Sequence, residues 1–389
     1  MDVCGKGPSD SCRALKRELE PLAQRKIILL ATATIHNDSL FVNGLFQNVF
    51  IIYKMLDAMG YTAILLVNEK PTDIQKVPVV LRNVRMITAD DIARNSIDVH
   101  MNIEIAMSID SDSRRTLRKN GARTIKLYLG NILNIDIETP IFYPGVNFAH
   151  HITGELDEIW VSPHYKQHYQ YAGLINKTKP AKIAPYVWDP AILTLGGTRN
   201  FKWRPRTQNE QQVIVILEPN ISFQKCSLIP LLIVEHLYRR SGQDFKILLG
   251  NSERFHTNTF FTKTILPALK LYKDNKIVFS GRHTITSIMN DYPSAIAISH
   301  QINNQYNYMT LEYLVSGFPI IHNAPDWSDA GYYYEGASVV KGSKALEDAL
   351  EYHSSSLEQY NSGAAALQWR HSPYNPEVQA AWKELIEQV

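Results

Sequence analysis

The chain has 389 residues, 45% of them hydrophobic and 20% charged, with a net charge of +2 at neutral pH. That length exceeds one ordinary core and predicts two domains, while the near balance of charge argues neither for nor against a nucleic-acid partner. The three cysteines, Cys4, Cys12 and Cys226, have neither disulfide-framework nor metal-ligand spacing; this excludes a disulfide-stapled scaffold and fits a reducing, cytoplasmic compartment.

In chain order, residues 1–25 read as a polar appendage without the apolar stretch of a signal peptide. No apolar run in the chain is long enough to span a bilayer. Residues 26–34 (KIILLATAT) form a continuous apolar run, the pattern of a buried parallel strand. A polar turn at 35–44 leads into a helix with apolar residues at Leu45, Val49, Ile52, Tyr53 and Leu56 and a terminating Gly60. Strands follow at 62–67 and 98–105, then a polar helix at 111–120. Strands at 124–129 and 157–162, a helix near 164–174 and a strand at 181–187 complete the first half. Residues 195–212 are rich in Gly, Pro, Arg and Gln and read as a linker. The alternation then restarts. Strands are expected at 213–218, 245–250, 276–281, 295–299 and 318–323. Helices are expected near 228–241, 256–272, 284–291, 306–316 and 343–353, with a last one from 375.

Alternation of this kind predicts an α/β fold of two doubly wound, Rossmann-like domains facing each other across a cleft. The first spans 26–194 and the second 213–372, with residues 373–389 a terminal helix packing back on the first. Ligands of such sheets bind at the carboxyl ends of the strands, so the loops that follow strands hold the candidate residues.

The loop after the strand at 213–218 carries Glu218, Asn220 and Lys225 ahead of a helix with Pro230 in its first turn. Lys225 beside a helix start suits an anion, against the plain reading of a solvated lysine. After 276–281, Gly281 permits close approach of a flat ring and Arg282 reads as a phosphate ligand or a solvent-facing residue. The stretch SHQINNQYNYMTLEYLVSG supplies Asn304, Asn307, Tyr308 and Glu312. By periodicity alone Glu312 reads as an exposed helix glutamate; as a ligand, its two oxygens could accept both hydroxyls of a ribose. In the first half, His36 and Asp38 are candidates for acid–base work. Asn43 and Gly44 open a helix, and Gly130 and Asn131 end a strand. Glu104 and Glu138 are further polar candidates. The zinc-protease, nucleophile-elbow and P-loop patterns do not occur.

Residues 307–323 (NYMTLEYLVSGFPIIHN) resemble the glycosyltransferases of the two-Rossmann, GT-B type. Many retaining members carry two glutamates separated by seven residues, ahead of a small-Gly-x-Pro-hydrophobic tail. Glu312 matches the second glutamate, and Ser316 to Ile321 match the tail. Within that class the resemblance is strongest to a little-characterised bacterial family known only as a domain of unknown function, through the stretches 43–49, 129–131, 186–190, 218–235 and 307–323. The resemblance implies that Glu312 binds the donor ribose, Lys225 meets the diphosphate and the Gly281–Arg282 backbone lies against the base. It implies that Asn43, Gly44 and Asn131 face the sugar and the acceptor. It also implies a UDP-sugar donor and metal-independent transfer, with no added cofactor and with retention of configuration. Asn304, eight positions before Glu312, departs from the pattern, because it stands near the place of the first glutamate and carries no charge; retention and sugar identity stay open.

Three functions compete. The first is transfer of a sugar to a glycan, lipid-linked or protein acceptor. The second is glycosylation of a hydroxymethylated DNA base, as some viral enzymes of this architecture perform; the basic residues Lys16, Arg17, Arg25, Lys26, Arg114, Arg115, Arg118 and Lys119 permit it, although the helix at 111–120 reads as a solvated face. The third is non-catalytic nucleotide-sugar binding.

Overall fold

The structure, a computed structural model, describes residues 26–40, 44–94, 98–143, 145–146, 151–152, 154–194 and 201–388; the expected appendage at 1–25 lies outside them. The chain divides into two compact units, Met1–Asp189 with His371–Val389, and Pro190–Arg370.

The described residues of the first unit build a seven-stranded parallel sheet from β1 (Ile27–Thr32), β2 (Thr62–Val67), β3 (Met86–Ile87), β4 (Met101–Glu104), β5 (Arg123–Tyr128), β6 (Glu158–Val161) and β7 (Lys182–Ile183), in the order β3-β2-β1-β4-β5-β6-β7. Strands β1 and β2 are buried along their whole length, as their unbroken apolar sequences require of strands covered on both faces. Helices α1 (Gly44–Ala58), α2 (Ser111–Lys119), α3 (Ile132–Phe142) and α4 (Tyr169–Ile175) follow strands. Asp110 caps α2 by accepting from the Ser113 amide at 2.8 Å, and Asn131 caps α3 by accepting from the Asn134 amide at 3.1 Å.

The second unit has six parallel strands among its described residues: β8 (Gln212–Ile216), β9 (Phe245–Leu249), β10 (Ile277–Phe279), β11 (Ile296–Ile298), β12 (Ile320–His322) and β13 (Tyr332–Tyr333), in the order β10-β9-β8-β11-β12-β13. Its main helices are α5 (Leu228–Ser241), α6 (Ile285–Asp291), α7 (Tyr308–Val315), α8 (Val339–Tyr352) and α9 (Leu357–Arg370). Helix α5 ends at Gly242, whose φ of 64° is the left-handed cap a glycine adopts without a steric penalty. Residues 201–210 are seated on this unit, the Trp203 amide donating to the Ser316 carbonyl at 3.1 Å and the Arg204 amide to the Pro293 carbonyl at 3.1 Å.

The last helix, α10 (Pro376–Glu387), belongs to the first unit. Trp382 holds it there, with its indole donating to the Pro185 carbonyl at 3.0 Å and its ring edge-on to Trp160 at 5.7 Å.

Several elements differ from expectation. The helix expected at 256–272 is broken into Glu253–Thr257, a wide π turn at Phe261–Ile265, and the short pieces Leu266–Ala268 and Lys270–Lys273. Pro267 cannot donate inside a helix, and Asn258 caps a fresh start by accepting from the Phe261 amide at 2.9 Å. The helix expected from 164 opens as a 3-10 turn, Pro163–His168, before α4. The strand expected at 181–187 pairs only over Lys182–Ile183. Strands β3 and β13 and helices α3 and α9 had no sequence expectation.

The helix at 111–120 is not a solvated face throughout. Arg114 is 6% exposed, and its guanidinium donates to Glu104 at 2.7 and 3.3 Å and to Glu155 at 2.6 Å. Arg118 pairs with Asp157 at 3.1 Å, and Arg115 pairs with Asp112.

Candidate functional site

Both sheets reverse their winding direction at an inner pair of strands: β1 and β4 in the first unit, β8 and β11 in the second. Loops after such a pair lie side by side at the carboxyl ends, where doubly wound sheets hold ligands. In the second unit these are the loops 217–227 and 299–307, and they contain Glu218, Asn220, Lys225, Asn304 and Asn307. Strand order brings them together across some 80 residues of sequence, because β8 and β11 pair through Ile214 with Ile296 and Val215 with Ala297.

Glu218 is 1% exposed. Its Oε1 accepts from the Ser299 hydroxyl at 2.8 Å and the His300 amide at 3.1 Å, and its Oε2 accepts from Gln301 Nε2 at 2.6 Å. Burial pushes its carboxyl up to about 7, against the opposing pull of Ser299, Lys225, the His300 amide and Gln301. Lys225 is half-buried. Burial holds its ammonium below the usual lysine range, with the Glu218 carboxylate opposing.

Asn220 builds the loop. It adopts φ 55°, a left-handed conformation asparagine tolerates. Its Nδ2 donates to the carbonyls of Glu218 at 2.9 Å and Asn251 at 3.1 Å, and its Oδ1 accepts from the Ser227 amide at 2.8 Å. Its amide donates to the Lys225 carbonyl at 3.1 Å, which closes the turn that carries the lysine. Asn251 and Asn303, after β9 and β11, are also left-handed, at φ 50° and 52°.

Asn304 is buried, and its Nδ2 donates to Gln301 Oε1 at 3.0 Å. Asn307 is the cap of α7, accepting from the Met309 amide at 3.2 Å, and Tyr308 is the half-buried first residue of that helix. Glu312 lies one turn further on and is 7% exposed. Among the described residues no hydrogen bond or ion pair reaches its carboxylate, and burial alone pushes it up to about 7. A buried, unpaired carboxylate is costly. Gly281 and Arg282 are exposed; a Cβ on Gly281 would approach the Glu253 carboxylate to 2.9 Å.

In the first unit, His36 is exposed and its carbonyl accepts from the Leu40 amide at 3.2 Å. Asp38 falls in the helical turn Asn37–Leu40, with its side chain outside the described residues, as is Asn43. Gly44 is the first residue of α1, and its carbonyl accepts from Asn48 Nδ2 at 3.1 Å. Asn131 is buried as the cap of α3, and Glu138 is buried within the same helix. Glu104 is fully buried at the end of β4 against Arg114, with Lys126 Nζ 4.0 Å away. It therefore belongs to the internal charge network.

The sequence reading missed Ser299, His300, Gln301 and Asn323. They sit in or beside the amide-rich run that follows β11, and their position directly after a strand was the available signal. His300 is buried, its Nδ1 2.7 Å from the Tyr334 hydroxyl, and burial holds its imidazole down at about 4. Asn323 grips the Gln301 backbone at both ends, accepting from its amide at 2.9 Å and donating to its carbonyl at 2.9 Å.

Among curated proteins none matches the sequence. Solved structures share the fold at low identity. HepE of Anabaena in complex with UDP-glucose is similar at a TM-score of 0.54 and 11% identity, over 92% of this chain and 99% of that one. The T4 phage enzyme BGT in complex with its UDP-glucose substrate is similar at 0.53 and 12%, over 93% and 100%. The structure described as "Trehalose-6-phosphate from E. coli bound with UDP-2-fluoro glucose" is similar at 0.57 and 11%, over 94% and 99%. The two-Rossmann, GT-B type of fold expected from residues 307–323 is thus the fold of the described residues. Over residues 29–386 the chain matches the family model described as "Protein of unknown function (DUF2827)", and it belongs to that family.

Proposed function

We propose that the chain is a glycosyltransferase that moves a sugar from a UDP-sugar to a glycan, lipid-linked or protein acceptor. The observation that carries this reading is Glu312, a buried carboxylate in the second turn of α7 that no hydrogen bond or ion pair reaches among the described residues. Two ribose hydroxyls would donate to its oxygens and relieve the cost of its burial. Solved structures of the same fold hold UDP-glucose, which supports the choice of ligand.

In this reading Lys225 faces the diphosphate. A lysine near an anionic leaving group stabilises charge as it develops, and the closed turn through Asn220 fixes its backbone for that role. Gly281 and Arg282 lie against the base. Asn304 offers hydrogen bonds to the sugar in place of a charged glutamate. His36 and Asp38, with Asn43, Gly44 and Asn131, form the acceptor side. No metal or cofactor is assigned a role.

Of the basic residues that permit the DNA-base reading, Arg114 is buried against Glu104, while Arg115 and Arg118 are exposed and pair with Asp112 and Asp157. Among the described residues no helix is long and apolar enough to cross a membrane.

A thermal-shift screen of nucleotide diphosphates and nucleotide sugars tests the reading, since a ligand of the native state raises the melting temperature. Stabilisation by UDP and UDP-glucose is expected. An unchanged melting temperature with every uridine nucleotide at millimolar concentration would refute it.

A further inference from the structure

Helix α3 carries its apolar residues on the outside. Asn134 and Glu138, one turn apart, are buried at 7% and 5% exposure, whereas Ile137, Ile141 and Phe142 are 49%, 63% and 63% exposed. A surface helix ordinarily shows the reverse pattern. Helix α4 ends in the same way, with Leu174 at 79% and Ile175 at 38%. The two stretches adjoin. Asp136 of α3 accepts from the Tyr171 hydroxyl of α4, and the Asn176 side chain just beyond α4 accepts from the Ile152 amide at 2.7 Å. Both helices follow strands of one parallel sheet, so they run in the same sense. One turn on from the contact of Asp136 with Tyr171 stand Pro140 and Ile175, both exposed. Exposed apolar residues are ordinary when scattered singly, but a contiguous set marks an interaction surface.

The charges of this face have one sign. Both acidic residues of α3 are withdrawn from it: Glu138 is buried, and Asp136 is held by Tyr171 and by His151, whose Nε2 lies at 2.6 Å. Between Leu174 and Ile183 the sequence has no acidic residue and three lysines. Lys177 and Lys179 are exposed, while Lys182 pairs with Glu158 at 2.7 Å. Aliphatic and phenyl side chains beside lysines are the makeup of a surface that lies on lipid. The core of a protein–protein contact is instead depleted of lysine, and a second copy packed on this face would set lysine against lysine.

We propose that the face formed by α3 and the end of α4 is a docking surface for an anionic lipid bilayer. Ile137, Ile141, Phe142 and Leu174 enter the headgroup region, and Lys177 and Lys179 meet the lipid phosphates. Neither contribution suffices alone, since a few side chains bury little area and two lysines are screened by salt. Together they give a reversible attachment that requires both an apolar interior and negative headgroups. This goes beyond the glycosyl-transfer reading and does not rest on it.

The test is flotation of the full-length protein with vesicles of phosphatidylcholine alone, or of phosphatidylcholine mixed with phosphatidylglycerol, at low and at high salt. Wild type is expected to float with the mixed vesicles at low salt, and to lose most of that binding in high salt or on pure phosphatidylcholine. Two double variants are compared with it, Lys177→Ala with Lys179→Ala and Ile141→Ser with Phe142→Ser. Each is expected to weaken vesicle binding by about tenfold or more. The melting temperature should not change, because these side chains are exposed. Wild type that does not float with the mixed vesicles, or floats equally with both kinds, overturns the proposal, as do folded variants that bind like wild type. If Ile141→Ser with Phe142→Ser does not fold, Leu174→Ser takes its place with the same two outcomes. Self-association in sedimentation velocity that Ile141→Ser with Phe142→Ser abolishes, without flotation of wild type, assigns the face to a second copy and overturns the lipid assignment. The nucleotide screen is read separately: its failure refutes the glycosyltransferase reading, and flotation alone decides the docking surface.

Discussion

Glu312 should be worth more to the protein bound than empty. A rise of its carboxyl from an ordinary 4.5 to about 7 through burial corresponds to roughly 3 kcal/mol against the ionised form in the folded state. The sign follows from linkage. The folded value is raised, so the folded protein holds the proton more tightly, and the contribution is fully present below about pH 4.5 and lost as pH rises through about 7. Glu312→Gln keeps the shape and removes the charge. At pH 8 the variant should be more stable than wild type by about 2–3 kcal/mol, and at pH 5 the two should nearly coincide. Urea unfolding of both proteins at the two pH values, without nucleotide, measures this. The same substitution should weaken UDP binding by roughly 1–3 kcal/mol, the scale of hydrogen bonds to a charged group. A stability difference that is the same at pH 5 and pH 8 would refute the burial argument. Unchanged UDP affinity in the folded variant would return Glu312 to a role outside the ligand site.

Three further outcomes are expected. Lys225→Ala should lower kcat by on the order of 10²-fold with a smaller loss of donor affinity, since its charge matters most as the diphosphate departs; turnover should survive EDTA, and a normal kcat or abolition by the chelator, read in steady-state kinetics, would refute that role. Arg114→Leu should destabilise the first unit by about 3–5 kcal/mol, because it leaves the fully buried Glu104 without its partner; denaturant titration followed by a first-unit probe such as Trp160 checks this. Gly173→Ala should also unfold more readily, since a Cβ there would lie 2.3 Å from the Lys179 carbonyl oxygen; an unchanged melting temperature would show that the 179–180 turn yields without cost.

Helix α5 and strands β1, β2 and β9 were legible from residues alone, because their signals are local. An apolar run, a 3.6-residue stripe and a glycine stop each act within a few residues of chain. Helix α9 was not legible. Its buried positions are only Tyr360, Ala364 and Leu367, too sparse and small a stripe to stand out. Strands β3 and β13, of two residues each, exist only because a longer neighbour pairs with them. Arg114 read as solvated because nothing near it in sequence announces Glu104 at the end of β4.

The site divides in the same way. The loops after strands are marked by the polar residues that end each apolar run, and the tail after Glu312 pointed to that residue through a resemblance rather than through periodicity. Periodicity could not decide its burial, because every residue from Met309 to Leu314 is buried; α7 is covered on more than one side and has no polar face to set against an apolar one. Only the tertiary structure could join Glu218 to Gln301, 83 residues apart, and Gln301 to Asn323, 22 residues apart. Those bonds depend on β8, β11 and β12 lying side by side in one sheet. Strand order comes from the packing of whole elements, and no local pattern in the sequence encodes it.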